Sequence, residues 1–246
     1  MTRMPDVVAK LSDSGGLAIL VDPGRTTPDD AEKLARRAAD EGVCAILLGN
    51  SFGGNESVVD VARALRRGAP GLPLLQFPST AAQLIPDVDA VLLLSLVSGR
   101  NPQYLIEEHV RAVPFFARYP QVHAISTAYC LIDGGHVTSV EAVSQTRPLP
   151  ADKPELVAAH VRAATLIGMR AAYLDAGSGA RKPVHASLVS AARASTAGLL
   201  IVGGGVRDAD GVRSAREAGA DLVVVGTLFE REGMRTVREL ALAAAR

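Results

Sequence analysis

Along the chain, short apolar runs rich in β-branched residues alternate with longer stretches in which alanine, leucine and charged residues recur at helical spacing. The first pattern is typical of buried strands and the second of amphipathic helices. The predicted strands are Leu17–Asp22, Cys44–Leu48, Leu72–Phe77, Ala90–Ser95, Val122–Ile132, Ala171–Asp175, Leu199–Val202 and Leu222–Val225. The predicted helices are Pro28–Asp40, Ser57–Arg67, Pro102–Val113, Pro154–Gly168, Pro183–Ser195, Ala209–Glu217 and Glu230–Ala244, and the four that begin with proline use a position that a first helical turn tolerates.

The number and spacing of these strands indicate the fold. Eight strands in 246 residues give about 31 residues for each strand–helix unit, which suits a closed barrel better than an open sheet of five or six strands. Only 4% of the residues are aromatic, so the core must consist of alanine, leucine and valine, as in parallel strands buried on both faces. No proline-rich or charge-rich stretch divides the chain. We therefore predict an α/β fold with a single domain over residues 1–246, a (β/α)8 TIM barrel.

Two connections depart from the regular repeat. Only about a dozen residues, Pro78 to Asp89, separate the third and fourth strands, and they include Pro86 and two aspartates, so a full third helix is not expected. Irregular structure there would leave a slot in the outer layer in which an apolar chain could lie, although a plain irregular connection is the alternative. The segment from Asp133 to Pro150 is long for a loop of this kind and is predicted to cover the top of the barrel as a lid.

Charge and cysteine content limit the possible partners. The 26 basic and 26 acidic residues cancel, so no long-range field would gather nucleic acid or an anionic membrane, and an anionic ligand must be held locally. Cys44 and Cys130 are isolated within apolar runs, which suits a reducing compartment. The sequence has neither a signal-peptide region near its start nor a run of ~18 to 20 apolar residues. We expect a cytoplasmic protein with at most peripheral membrane contact.

Glycine-rich turns follow the last three predicted strands. In barrel enzymes the working residues lie at the carboxyl ends of the strands. Glycine lets backbone N–H groups approach an anion, and the N-terminus of the next helix adds a favourable dipole. The turns therefore predict a phosphate site built from Gly177 and Gly179 after strand six, Gly204 and Gly205 after strand seven, and Gly226 and Thr227 after strand eight.

Two side chains near these glycines are candidates for chemistry. Asp175, at the end of strand six, could accept a hydrogen bond from a substrate hydroxyl or take its proton, and the alternative is an ordinary turn aspartate. Tyr173 lies two positions earlier and shares the same face of the strand, so it could donate to the same ligand, or be a core tyrosine. We take Asp175 and Tyr173 as the candidate catalytic pair.

A metal site is possible on the opposite side of the barrel. Asp22 follows strand one and Ser51 follows strand two, and a carboxylate with a hydroxyl can hold Mg²⁺ when substrate phosphates complete its oxygen ligands. The Asp-Pro-Gly sequence is also compatible with an ordinary turn. Asp208 and Asp210 open a helix and are predicted to be caps. The five histidines show no metal-ligand spacing.

Taken together, seven sequence strings resemble the geranylgeranylglyceryl phosphate synthase family, including its bacterial heptaprenylglyceryl phosphate synthase branch. The strongest is YLDAGSGA at Tyr173–Ala180, which the family writes YLEAGSGA. The others are VDPGR at Val21–Arg25, LLGNS at Leu47–Ser51, QFPS at Gln76–Ser79, SLVSGRNP at Ser95–Pro102, GGGVR at Gly203–Arg207 and GADLVVVGT at Gly219–Thr227. The likeness covers nearly the whole chain.

This resemblance implies an activity and a set of residue roles. The family is a group of Mg²⁺-dependent prenyltransferases that join a polyprenyl diphosphate to the C3 hydroxyl of sn-glycerol 1-phosphate, in a barrel whose third helix is replaced by irregular structure. The implied roles are Mg²⁺ and diphosphate binding by Asp22 and Ser51, contact with the glycerol part by Tyr173, Asp175 and Ser178, and bracketing of the acceptor phosphate by Gly177, Gly205, Gly226 and Thr227.

Two departures from the family pattern keep other functions open. Asp175 stands where the family has glutamate, and Gly24-Arg25 replaces Asp-Lys. A related moenomycin-pathway enzyme prenylates 3-phosphoglycerate, and Arg25 or Arg100 could meet the carboxylate of that acceptor, with farnesyl diphosphate as donor. A phosphate-binding barrel isomerase with Asp22 and Asp175 as acid and base, and a non-catalytic sensor of a phosphorylated metabolite, are further alternatives.

The alanine-rich helices offer a possible interface. Outer helices of such barrels often pair, and the candidates are the helix from Pro154 to Gly168 and the helix from Glu230 onward. A homodimer is therefore a possibility.

Overall fold

The computed structural model describes residues 7–49, 57–226 and 234–245. Eight parallel strands form a closed barrel in which each strand pairs with the next and the eighth pairs with the first. The strands are Gly16–Val21 (β1), Ala45–Leu48 (β2), Leu74–Gln76 (β3), Ala90–Leu96 (β4), His123–Leu131 (β5), Ala171–Asp175 (β6), Leu199–Gly203 (β7) and Leu222–Val225 (β8). The predicted TIM-barrel fold is confirmed.

The helices surround this barrel. They are Val7–Ser14 (α1), Pro28–Asp40 (α2), Val58–Gly68 (α3), Glu108–Arg118 (α4, entered through a π-helical turn at Gln103–Glu107), Ser139–Ser144 (α5), Pro154–Leu166 (α6), Ala186–Ser195 (α7), Ala209–Glu217 (α8) and Met234–Ala244 (α9). No helix among the described residues is both long and apolar enough to cross a membrane.

Helices α4 and α7 have boundaries that differ from the prediction by three residues or more, and helix α1 was not predicted. Helix α7 begins at Ala186 rather than at Pro183, because the ring of His185 caps the helix by accepting a hydrogen bond from the Ser187 amide. Helix α4 continues through Pro114 to Arg118, because Phe115 and Phe116 pack against the apolar layer between barrel and helices. The predicted cap at Asp208 is confirmed, since its side chain accepts from the Gly211 amide at 2.8 Å.

Alternate side chains of each strand point to different layers. In β6, Ala171 and Tyr173 belong to the cluster inside the barrel, whereas Ala172 and Leu174 pack outward against the helices. Asp175 is two residues beyond Tyr173 and therefore points into the mouth of the barrel. At the other end, α1 contributes the fully buried Leu11 to the inner cluster and closes the barrel floor.

The third unit is irregular, as predicted. Between β3 and β4 the described structure contains only a short 3₁₀ turn at Ala81–Gln83. The buried Gln76 side chain fixes this stretch by donating to the Gln83 carbonyl at 2.6 Å and accepting from the Ile85 amide at 3.1 Å. Glu108 of α4 accepts from the Ala81 amide at 2.7 Å. The stretch is therefore ordered without being a helix.

Residues 133–150 fold over the carboxyl end of the barrel. The ends of this segment meet, because the Asp133 amide donates to the Leu149 carbonyl at 2.9 Å. Its first part lies on the turn after β6, where the Arg181 amide donates to the Gly134 carbonyl at 3.0 Å. Helix α5 lies in the middle of the segment. The segment therefore occupies the position predicted for a lid.

Candidate active site

The turns after β6 and β7 meet at the mouth of the barrel. Gly177, Gly179, Gly204 and Gly205 all have positive φ angles between 72° and 87°, which favour glycine. A Cβ atom at Gly204 would lie 2.6 Å from the Gly177 nitrogen and 2.7 Å from Oδ1 of Asp175, so only glycine fits between the two turns. The Gly204 and Gly205 amides make no hydrogen bond to any other residue in the described ranges. These amides are available to an anion.

The first turn contributes less than the sequence predicted. The Gly177 amide donates to Oδ1 of Asp175 at 2.7 Å, so it is not free to bind a phosphate. The exposed Ser178 and Gly179 follow it, and their amides have no partner among the described residues. Gly226 lies at the end of β8 beside Leu20 of β1, and Thr227 lies outside the described residues. Two of the three predicted turns therefore converge, and the third is described only at its first residue.

Asp175 is a buried carboxyl held at two points. Oδ1 accepts from the Gly177 amide, and Oδ2 accepts from the Tyr129 hydroxyl at 2.6 Å. Burial raises the pKa of Asp175 above its ordinary value, and the two hydrogen bonds oppose this shift in part. The side chain thus makes the local contact expected of an ordinary turn aspartate. It is also a stronger base than a solvated aspartate.

Three aromatic rings lie beneath this carboxyl. Phe77, Tyr129 and Tyr173 pack together with ring centroids 5.2–5.8 Å apart. Burial and the neighbouring Asp175 raise the pKa of both tyrosines well above the ordinary value, so both hydroxyls stay protonated and can donate. The Tyr173 hydroxyl lies against Gly203 and makes no hydrogen bond within the described part of the chain.

Sequence reasoning missed Tyr129. The residue lies inside a nine-residue strand, two residues before its carboxyl end, and no glycine-rich turn or sequence motif marks it. The register pairs Tyr129 of β5 with Tyr173 of β6, and the shared position of two tyrosines on neighbouring strands is the only signal that could have identified it.

Asp22 lies at the carboxyl end of β1. Its Oδ1 accepts from the Gly24 amide at 2.8 Å, and Oδ2 lies 3.7 Å from Nε of Arg25. The Asp22 side chain remains 27% exposed, and Ser51 lies outside the described residues. Among the described residues no group of three or more histidine, cysteine, aspartate or glutamate side chains could hold a metal. A magnesium ion that takes one protein carboxylate and several phosphate oxygens fits such a site, because Mg²⁺ commonly binds in this way.

Arg100 lies in the turn after β4. Its Nη1 donates to the carbonyls of Gly99 at 2.7 Å and Val97 at 3.3 Å. The Nη1 group of the guanidinium is therefore engaged by its own loop.

An apolar groove begins beside Asp175 and leaves the barrel over the irregular third unit. Its inner end is formed by Phe77 and Tyr129, and its outer end by Leu84, Leu93 and Ala112. Leu93 points away from the barrel interior, so the groove passes from the barrel mouth to the outer layer. Val140 and Val143 of α5 form part of its wall, and the space measures about 780 Å³ including the part open to solvent. The slot predicted at the third unit is confirmed.

Comparison with known proteins identifies the enzyme class. The chain is 39% identical over 235 residues to the geranylgeranylglyceryl phosphate synthase of Methanothrix thermoacetophila, covering 94% of this chain and 91% of that protein. It is 40% identical over 219 residues to the corresponding synthase of Aeropyrum pernix, covering 86% and 84%. The crystal structure of (S)-3-O-geranylgeranylglyceryl phosphate synthase from Thermoplasma acidophilum in complex with sn-glycerol-1-phosphate matches with a TM-score of 0.91 at 25% identity, covering 100% and 99%.

The fold, the site and these relatives together define a prenyltransferase built on a TIM barrel. Residues 16–244 match the PcrB family model. The chain belongs to the PcrB family, and the resemblance found in the sequence is confirmed. The isomerase and the non-catalytic sensor are set aside as alternatives, because the curated relatives are prenyl-transferring synthases.

Proposed function

We propose that this protein transfers a polyprenyl group from its diphosphate to the C3 hydroxyl of sn-glycerol 1-phosphate. One observation carries the proposal: the buried carboxyl of Asp175 lies between two glycine turns with free amides and the inner end of an apolar groove. A phosphate on one side and a prenyl chain on the other would bring their reacting ends together at this carboxyl.

The acceptor fits the polar side of the site. Free amides of Ser178, Gly179, Gly204 and Gly205 would bind its phosphate, and the short three-carbon body would direct the C3 hydroxyl towards Asp175. In the transfer step, a bond forms between the acceptor oxygen and C1 of the prenyl group while the bond from C1 to the diphosphate breaks. The diphosphate leaves with the electron pair, and the hydroxyl proton passes to Asp175. The raised pKa of Asp175 suits this role, because a stronger base accepts the proton more readily.

The donor fits the groove. Its hydrocarbon chain would replace water along Phe77, Leu93 and Ala112, and burial of apolar surface contributes about 25 cal/mol per Å². Its diphosphate would lie towards Asp22, which would hold Mg²⁺ together with phosphate oxygens. When bound, Mg²⁺ would stabilise the negative charge that develops on the departing diphosphate.

Glycerol 1-phosphate is favoured over 3-phosphoglycerate by the state of the two arginines. Arg25 lies beside Asp22, and Arg100 donates to two carbonyls of its own loop. These contacts would compete with an acceptor carboxylate for the two guanidinium groups, whereas the neutral end of glycerol phosphate needs no cation.

The test is a matrix of donors and acceptors. Purified protein is incubated with farnesyl or geranylgeranyl diphosphate and with sn-glycerol 1-phosphate, its enantiomer sn-glycerol 3-phosphate, or 3-phosphoglycerate, with Mg²⁺ or with a chelator, and products are identified by mass spectrometry. We expect an ether product from sn-glycerol 1-phosphate and its loss on chelation. Product from 3-phosphoglycerate alone would overturn the acceptor assignment, and full turnover with the chelator would overturn the role of the metal.

A further inference from the structure

We propose that Tyr129 is a positioning residue that links the two substrate sites. Its hydroxyl holds Asp175 in the orientation in which the carboxylate meets the acceptor, while its ring forms the inner wall of the donor groove. The proposal rests on the proposed function of Asp175 and gives a role to Tyr129, which the sequence motifs do not mark.

The hydrogen bonds fix the plane of the carboxylate. The Tyr129 hydroxyl donates to Oδ2 at 2.6 Å, and the Gly177 amide donates to Oδ1 at 2.7 Å. Hydrogen bonds at both oxygens prevent rotation about the last side-chain bond and leave one lone pair on each oxygen for a substrate hydroxyl. A hydrogen bond to a charged acceptor is worth about 1.5–3 kcal/mol, which is enough to hold one orientation.

The ring that carries this hydroxyl is itself held in place. Tyr129 is only 3% exposed, and its ring packs edge-on against Tyr173 at 5.6 Å and against Phe77 at 5.8 Å. Because the same ring borders the groove, a bound prenyl chain would pack against the side chain that orients Asp175. The donor site and the acceptor base therefore share one rigid element.

Within the described ranges, few other titratable groups act on Tyr129 and Asp175. The titratable side chains that act on them from the surrounding strands are Tyr173 of β6 and Cys130 of β5. Burial raises the pKa of Cys130 to about 12 and the pKa of Tyr173 well above its ordinary value, so both are neutral near pH 7. Protonation of Asp175 consequently depends on its burial, on the Gly177 amide and on Tyr129.

Removal of the Tyr129 hydroxyl should change a titration as well as a rate. In Tyr129→Phe the ring still lines the groove, but one of the two bonds that lower the pKa of Asp175 is lost. The carboxyl then keeps its proton to higher pH and is free to rotate. We expect kcat to fall about 10- to 100-fold, the acid limb of the pH–rate profile to move to higher pH, and the KM for the donor to stay unchanged.

The experiment compares Tyr129→Phe with Tyr119→Phe, which removes a hydroxyl from an aromatic cluster outside the site. Rates are measured against pH, and the Asp175 carboxyl is titrated in the substrate-free protein by ¹³C NMR, with Asp175→Asn to assign the signal. Tyr119→Phe should behave like the wild type. Incorporation of 3-fluorotyrosine at position 129, which makes the hydroxyl a stronger donor, should move the acid limb in the opposite direction.

The two measurements separate this inference from the proposed function. An Asp175 titration that is the same in wild type and Tyr129→Phe would overturn the positioning role even if prenyl transfer is normal. A shifted titration supports it even if the acceptor proves to be a different molecule. An equal loss of rate in both phenylalanine variants, with no movement of the acid limb, would reduce Tyr129 to a structural residue.

Discussion

Replacement of Asp175 by asparagine should make the protein more stable and nearly inactive. The amide keeps both contacts of the carboxyl, because its oxygen accepts from the Gly177 amide and its nitrogen donates to the oxygen of Tyr129. The buried negative charge disappears. Without a base for the acceptor hydroxyl, kcat should fall about 100-fold or more.

The sign of the stability change follows from the raised pKa of Asp175. Because folding raises the pKa of Asp175, the native state binds this proton more tightly than the unfolded chain, and stability is lost as the pH rises from about 3.9 through the folded pKa. A change of about 1 kcal/mol in the free energy of unfolding moves the melting temperature of a chain of this size by ~2–4 °C. Asp175→Asn should therefore melt a few degrees above the wild type at pH 7.5 and gain little at pH 4.

Thermal unfolding at several pH values tests this expectation, with Asp221→Asn as the matched control. Asp221 is also buried, but it accepts from Arg193 at 2.9 Å and from the Leu200 amide at 2.8 Å at the opposite end of the barrel. Its neutralisation weakens an ion pair and should lower the melting temperature at pH 7.5. If Asp175→Asn is destabilised at pH 7.5 as much as Asp221→Asn, the carboxyl is not under electrostatic strain and the reasoning is wrong.

Three further variants test other parts of the site. Gly204→Ala places a methyl group 2.6–2.9 Å from two backbone nitrogens and the Asp175 carboxyl. We therefore expect about 1–3 kcal/mol of destabilisation in denaturant titrations and at least a tenfold rise in the KM for the acceptor. An unchanged KM would contradict a phosphate site at this turn. Asp22→Asn should raise the Mg²⁺ concentration needed for half-maximal rate about tenfold, while the KM for the acceptor stays constant. An unaltered Mg²⁺ dependence would show that Asp22 is not a ligand of the metal. Ala112→Phe fills the outer end of the groove. The rate with geranylgeranyl diphosphate should fall about tenfold, while the rate with a ten-carbon donor is retained. An equal effect on both donors would argue against a prenyl chain in the groove.

Local apolar patterns predicted the barrel accurately, because its parallel strands are buried on both faces. The predicted bounds of β6 and β8 are those observed, as are the bounds of α2 and α8. The errors at α4 and α7 occur where a contact distant in the sequence or a side-chain cap decides the boundary. The cap at His185 places the start of α7 at Ala186, after the predicted start at Pro183. The packing of Phe115 extends α4 beyond Pro114.

The candidate site was predictable in part for the same reason. Asp175 and the glycine turns follow strands directly, so their position at the barrel mouth can be read from the sequence. The Tyr129 contact joins residues 46 positions apart and depends on the register of two strands, which sequence spacing does not reveal. Occupation of the Gly177 amide by Asp175 is likewise a matter of side-chain geometry that the motif leaves open.

The groove and the glycine turns lie on neighbouring arcs of the barrel. Strands β3 and β4 carry part of the groove wall, β6 and β7 carry the glycine turns, and β5 lies between the two pairs. With the proposed substrates in these places, mutations on one arc would alter the accepted chain length without disturbing acceptor recognition, and the reverse would also hold. Such a scaffold can acquire new lipid products one substrate at a time, provided that the boundary strand keeps its tyrosine.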